Sequence, residues 1–136
     1  MSCVLGFDFG THKIGIAVGQ LITATANPLT TLSYVKQKPD WNGIENIINE
    51  WKPDKLIVGL PMQMDDEEAE IAPRAKRFAR QLEGRFHLPV EMIDERLTSR
   101  EAGNRLGKKA TRVTLVDSMA AKLILETWLE SVNTTL

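Results

Sequence analysis

Cysteine is nearly absent from this chain: Cys3 is the only one. A single thiol excludes an internal disulfide and a cysteine-rich zinc site, and it makes a reducing cytoplasm the expected location. The two histidines, His12 and His87, cannot build a zinc site between them. An excess of one charge is also missing. Lys plus Arg is 17 and Asp plus Glu is 18, a net charge of −1, which argues against a uniformly cationic DNA-coating protein. A secretory signal is not visible, because Asp8 interrupts the first apolar run and no basic segment precedes it. The 22 residues from Ile14 to Val35 carry no charge, but Gln20, Asn27, Pro28 and four threonines make them too polar and too broken to cross a lipid bilayer. No repeat, low-complexity tract or linker divides the chain. Its 136 residues, 43% of them hydrophobic, are expected to form one domain over 1–136. A chain of that size buries roughly 70% of the surface it exposes when unfolded.

What is present reads as alternating elements. Val4 to Phe9 and Ile14 to Val18 are short apolar runs around Gly10-Thr11-His12-Lys13, the pattern of an antiparallel hairpin. A third strand is expected between Leu21 and Leu32, with Pro28 at an edge or bend. Asp40 can cap a helix carrying Trp41, Ile44, Ile47, Ile48 and Trp51 at helical spacing, stopped by Pro53. Lys55 to Gly59 is a buried-type strand. A basic helix is expected from about Ile71 to Phe86, with Pro73 in its first turn. Val90 to Asp94 is a further strand, and a short helix is expected after Thr98. The last helix is expected over Leu115 to Glu130, burying Val116, Met119, Ala120, Leu123, Ile124 and Thr127, with Ser131 to Leu136 frayed. Three meandering strands followed by helix, strand, helix, strand, helix predict an α/β fold of the ribonuclease H-like kind. Its mixed five-stranded sheet would begin with three antiparallel strands, continue with parallel ones and carry helices on both faces.

Three acids stand out against this frame. Asp8 lies inside an apolar strand, where a charge is costly unless paired or bound to a cation. Its ordinary reading is a structural carboxylate bonded to the turn at Gly10-Thr11. Glu95 follows the strand VEMID at its C-terminal end, where ligand sites of open α/β sheets form, or is a solvated loop residue. Asp117 begins the last helix and borders its apolar stripe, or simply faces the helix dipole. Oxygen donors without His or Cys suit a hard cation such as Mg²⁺ or Mn²⁺. Three carboxylates can hold two such ions about 4 Å apart, an arrangement used to hydrolyse phosphodiesters.

Four ordered segments, GFDFGTHKIGIAVG (6–19), VGLPMQMD (58–65), DERLTS (94–99) and VDSMAA (116–121), resemble the YqgF/RuvX family. The resemblance implies a ribonuclease H-like fold and nuclease activity on nucleic acid. Members are described as Holliday junction resolvases or as nucleases maturing the 5′ end of pre-16S rRNA during ribosome biogenesis. It maps the family's acidic triad onto Asp8, Glu95 and Asp117. Two positions depart from the family pattern: Lys13 stands where Arg is frequent, which loses bidentate phosphate geometry, and Asp66 stands where Gly is usual.

The surroundings are consistent with a phosphate-bearing substrate. Thr11, His12 and Lys13 occupy the loop beside Asp8, and Arg96 and Thr98 follow Glu95. Residues 74–112 hold eleven basic and five acidic residues, a local +6 set against −7 elsewhere. Lys108, Lys109 and Arg112 lie in a loop-like stretch that leads to Asp117, the placement of a phosphate-backbone clamp. The remaining basic positions of the helix, Arg74, Lys76, Arg77 and Arg80, read as a solvated amphipathic face.

The expected partner is a structured RNA precursor, alternatively branched DNA, met by a monomer or weak homodimer and not by a membrane-bound protein. The competing readings are a nucleic-acid-binding module without catalysis and an ATP-binding phosphotransferase. The latter follows from the likeness of Asp8-Phe9-Gly10-Thr11 to the phosphate loop of sugar kinases, whose two-domain architecture needs more chain than is present here.

Overall fold

A computed structural model of the chain describes residues 3–10, 12–60, 68–94 and 117–134. Its elements are β1 (Cys3–Phe9), β2 (Lys13–Gln20), β3 (Thr25–Ser33), α1 (Trp41–Trp51), β4 (Lys55–Leu60), α2 (Glu68–Phe86), β5 (Val90–Asp94) and α3 (Asp117–Thr134). The five strands form one sheet in the order β3-β2-β1-β4-β5. β1, β2 and β3 pair antiparallel, while β1 with β4 and β4 with β5 pair parallel. This is the mixed sheet expected from the element order. β1 lies at its centre, flanked on both sides, and its alternate residues feed two cores. Leu5, Phe7 and Phe9 pack with Ile44, Ile48, Phe78 and Leu82 of α1 and α2. Val4 packs with Ile57 and the α3 residues Ile124, Leu125, Trp128 and Leu129 on the opposite face.

α1 forms where its cap and periodicity place it. The Asp40 side chain accepts from the Gly43 N–H at 3.1 Å, satisfying one of the orphan donors of the first turn. Lys52 closes the helix in the left-handed region at φ 47°. α2 begins at Glu68, three residues before the expected start, so Pro73 falls inside the helix rather than in its first turn. Proline there cannot donate to the carbonyl of Ala69 and disturbs the helix locally. Downstream of it, Ala75, Phe78, Ala79 and Leu82 are buried as their spacing requires. β3 starts at Thr25 rather than Leu21, because residues 21–24 form the turn from β2, with Ala24 at φ 54°.

The last helix differs most from expectation. It runs through Thr134, so Ser131 to Thr134 are helical; the Ser131 hydroxyl donates to the Trp128 carbonyl at 2.8 Å. Its buried line is Ala121, Ile124, Leu125, Trp128 and Leu129, not the stripe through Met119, Ala120, Leu123 and Thr127, and Met119 is exposed. Apolar residues are spread round this helix, and the sheet beneath selects the face. A Cβ on Gly19 would lie 3.3 Å from Leu125 and 3.6 Å from Leu129, so those two leucines rest on a floor without side chains. The short helix expected after Thr98 lies outside the described residues. No helix among the described residues is long and apolar enough to cross a membrane.

Candidate nucleic-acid cleavage site

Asp8 lies next to last in β1 and is half-buried. Strand alternation puts it on the face covered by α3, with Val4 and Gly6, and away from Phe7 and Phe9. Its register partners are Gly15 on β2 and Gly59 on β4. Both neighbours in its row therefore lack side chains, and both are buried. The row ends at Thr31 on β3 and Ile93 on β5. Sequence reading picked out Asp8 but missed its two glycines, whose significance appears only once the register is known.

The turn after β1 is tightly built. The Gly10 N–H donates to the Lys13 carbonyl at 3.1 Å, and a Cβ on Gly10 would lie 2.7 Å from that carbonyl oxygen, so only glycine fits. Tyr34, at the far end of β3, holds the turn from outside. Its hydroxyl donates to the Gly10 carbonyl and its backbone N–H to the His12 carbonyl at 3.0 Å. Burial raises the Tyr34 pKa above the ordinary 10.0, partly opposed by the nearby charge of Arg74. His12 and Lys13 are exposed on this turn, beside Asp8. Tyr34 was not among the sequence candidates; as the lone tyrosine, in a loop with no charged neighbour before Lys36, it offered little to single it out.

Asp117 is the first residue of α3. Leu129 and Leu125 lie over Gly19 and Gly6, and Gly19 pairs with Val4 near the start of β1, so α3 runs antiparallel to β1. From Leu125 back to Asp117 is about 12 Å at 1.5 Å per helical residue. From Gly6 on to Asp8 is about 7 Å along the strand. The start of α3 thus lies toward the C-terminal end of β1, the end that carries Asp8.

Thr11, Glu95, Arg96, Thr98, Lys108, Lys109 and Arg112 lie outside the described residues. The strand leading to Glu95 is placed: Ile93, two residues earlier, is in the row of Asp8. Among the described residues no three His, Cys, Asp or Glu form a metal-binding group. The fit of a divalent cation is therefore tested on Asp8 itself. A half-buried carboxylate whose two register partners carry no side chain has the hard oxygen-donor chemistry that suits Mg²⁺.

Comparison with known proteins places this geometry in a family. The family model described as RuvX: Holliday junction resolvase matches residues 2–131. A protein of Nitrosococcus oceani named "Putative pre-16S rRNA nuclease" is 51% identical over 134 residues, covering 96% of this chain and 88% of its own. One of the same name from Pseudomonas fluorescens is 51% identical over 138 residues, covering 98% and 94%. Among solved structures, Thermus thermophilus RuvC in complex with a Holliday junction substrate superposes with a TM-score of 0.60 at 16% identity, covering 99% of this chain and 98% of that one. The fowlpox virus resolvase bound to Holliday junction DNA gives 0.55 at 13% identity, covering 96% and 98%. These two share the ribonuclease H-like fold with this chain. With a match over almost its whole length and relatives at half identity, the chain belongs to the RuvX family, whose members are nucleases hydrolysing phosphodiester bonds.

Proposed function

We propose that the chain is a divalent-metal-dependent endonuclease that processes the 5′ end of pre-16S rRNA in the cytoplasm, acting as a single domain over 1–136, as a monomer or weak homodimer. The observation that carries this reading is Asp8 on the central strand between Gly15 and Gly59, with α3 beginning toward the same end of β1. Asp8, Glu95 and Asp117 are the carboxylates that hold Mg²⁺ or Mn²⁺, two ions in the full site. When bound, the ions supply an activated water and charge stabilisation of the leaving oxygen. The chain's own residues position the substrate: Thr11, His12 and Lys13 on the braced turn, Arg96 and Thr98 after Glu95, and Lys108, Lys109 and Arg112 before Asp117 are the phosphate contacts. The pre-16S rRNA substrate is carried from the names of the relatives. Branched DNA is the second reading, favoured by the two junction-bound structures that share the fold.

The test is incubation of the protein and its Asp8→Asn variant with precursor ribosomal RNA and with a four-way DNA junction, with and without Mg²⁺. Cleavage of the RNA that needs Mg²⁺ and falls more than about 100-fold in Asp8→Asn, with no loss of melting temperature, supports the proposal. Cleavage of the junction alone transfers the reading to DNA. Cleavage that survives in Asp8→Asn removes the triad, and binding of the RNA without any cleavage makes the chain a non-catalytic module.

A further inference from the structure

On the sheet face opposite Asp8, α2, the start of α1 and the segment after β3 enclose a cleft of about 350 Å³. Its floor is aromatic. Phe9 and Phe78 lie 5.2 Å apart, and Trp41 stacks on Phe78 at 5.5 Å with 27° between the rings. Its rim is cationic: Lys38, Arg74, Arg77 and Arg85 line it, and no carboxylate does so among the described residues. The guanidinium of Arg85 lies 4.2 Å over the Trp41 ring and that of Arg74 5.9 Å over Phe9. These arginines are not merely a solvated helix face, since two of them sit over aromatic rings within cation–π range.

The mouth of the cleft is also specially built. Val35 and Lys38 exchange backbone hydrogen bonds of 2.8 and 3.0 Å around a two-residue turn. Lys36 and Gln37 sit in the left-handed region at φ 52° and 66°, where residues other than glycine are rarely found. That strained turn sets Gln37 and Lys38 at the rim. Strain of this kind persists only where the surroundings impose it and is concentrated at ligand-holding sites. The cleft also adjoins the cleavage site. Phe9 follows Asp8 in β1, and Tyr34, which lines the cleft, bonds the turn after it through the Gly10 carbonyl.

Arginines aligned over aromatic rings, with side-chain amides and no acids, match an unpaired nucleotide. Phosphates meet the guanidinium groups, and a base meets a ring or guanidinium plane. We propose that this cleft is a second nucleic-acid subsite, holding unpaired nucleotides of the strand that leaves the cleavage site round the Gly10–Lys13 turn. The placement of that strand rests on the nuclease reading above; the ligand chemistry does not.

The experiment is fluorescence anisotropy of a short labelled single-stranded RNA with the full chain in EDTA, so that binding is read without cleavage. The Arg74→Gln/Arg77→Gln variant is expected to bind at least tenfold more weakly. Its slope of log affinity against log salt should be shallower by about 1.4, the value for removing two phosphate interactions with a single strand. Arg77→Gln alone, at an exposed position, should lose about half of that slope. Unchanged affinity and slope in a double variant that melts like the wild type overturn the proposal. So does displacement of the RNA by an acidic peptide at equal charge concentration. If no substrate is ever cleaved and the arginine dependence remains, the nuclease reading fails and the subsite stands.

Discussion

Leu125 of α3 fills the space above Gly6 of β1: a Cβ on Gly6 would lie 2.5 Å from Leu125 Cγ and 3.0 Å from Cδ2. Those atoms are buried in the core between helix and sheet, and Leu125 has no exposed surface into which to retreat. The close approach brings α3 down onto the central strand.

Gly6→Ala is therefore expected to destabilise by about 1–3 kcal/mol, the usual range for overpacking a filled core. The gain from replacing a strand glycine, about 0.5–1 kcal/mol, offsets only part of this. Urea titration gives the stability, and nuclease assay should show a parallel fall in cleavage because Asp117 rides on the displaced helix. Unchanged stability would mean that Leu125 shifts at little cost.

Gly59→Ala separates the site from the scaffold. The added methyl enters the row of Asp8 on its own face of the sheet, where a misplacement of about 1 Å can cost about 100-fold in rate. Cleavage is expected to fall at least about tenfold, more than any change in the midpoint of thermal unfolding accounts for. A variant that melts early and cleaves normally would show that the row is packing and not site.

Tyr34→Phe removes the hydroxyl bond to the Gly10 carbonyl and should cost about 0.5–1.5 kcal/mol. It also carries a pH signature. The Tyr34 pKa is raised in the folded chain above the ordinary 10.0 by burial. Its contribution to stability is therefore complete below pH 10 and is lost as pH rises through the folded value. Unfolding measured from pH 9 upward should show a decline in the wild type that is smaller in Tyr34→Phe; equal declines would place the loss elsewhere.

Cys3 should be inert in the folded chain. It is 5% exposed, and its Sγ donates to the Trp51 carbonyl at 3.2 Å. Burial, reinforced by the charge of Asp54, raises its thiol pKa above the ordinary 9.0. Reaction with an aromatic disulfide at pH 8 is expected to be at least about 100-fold slower than in urea, since the thiolate is the reactive form. Rapid modification without denaturant would reveal local opening of β1.

The strands and α1 were readable because their signals are local: an alternating or continuous apolar run, a capping Asp40, a stopping Pro53. The face that α3 buries was not. Leu123, Ile124 and Leu125 are consecutive and apolar, so the helical wheel alone admits more than one stripe. What decides is the small floor of Gly6, Ala17 and Gly19, which lies more than a hundred residues away in sequence. The same holds at the site: Asp8 was conspicuous as a charge in an apolar strand, whereas Gly15 and Gly59 acquire meaning only from pairing. Arg74 reads in sequence as part of a solvated face, whereas in the structure its guanidinium lies over Phe9.

The position of α3 in the chain has a consequence for how the molecule is made. It follows every strand in chain order and covers one face of the sheet, sealing Val4, Ala17 and Ile57. During synthesis, which proceeds from the N-terminus, the hairpin and the α1–α2 side can assemble first. Until α3 docks, the nascent chain presents an apolar floor and an Asp8 open to solvent. Nuclease activity is thereby expected to be withheld from partly made chains, and that exposed floor is where a chaperone would first engage them.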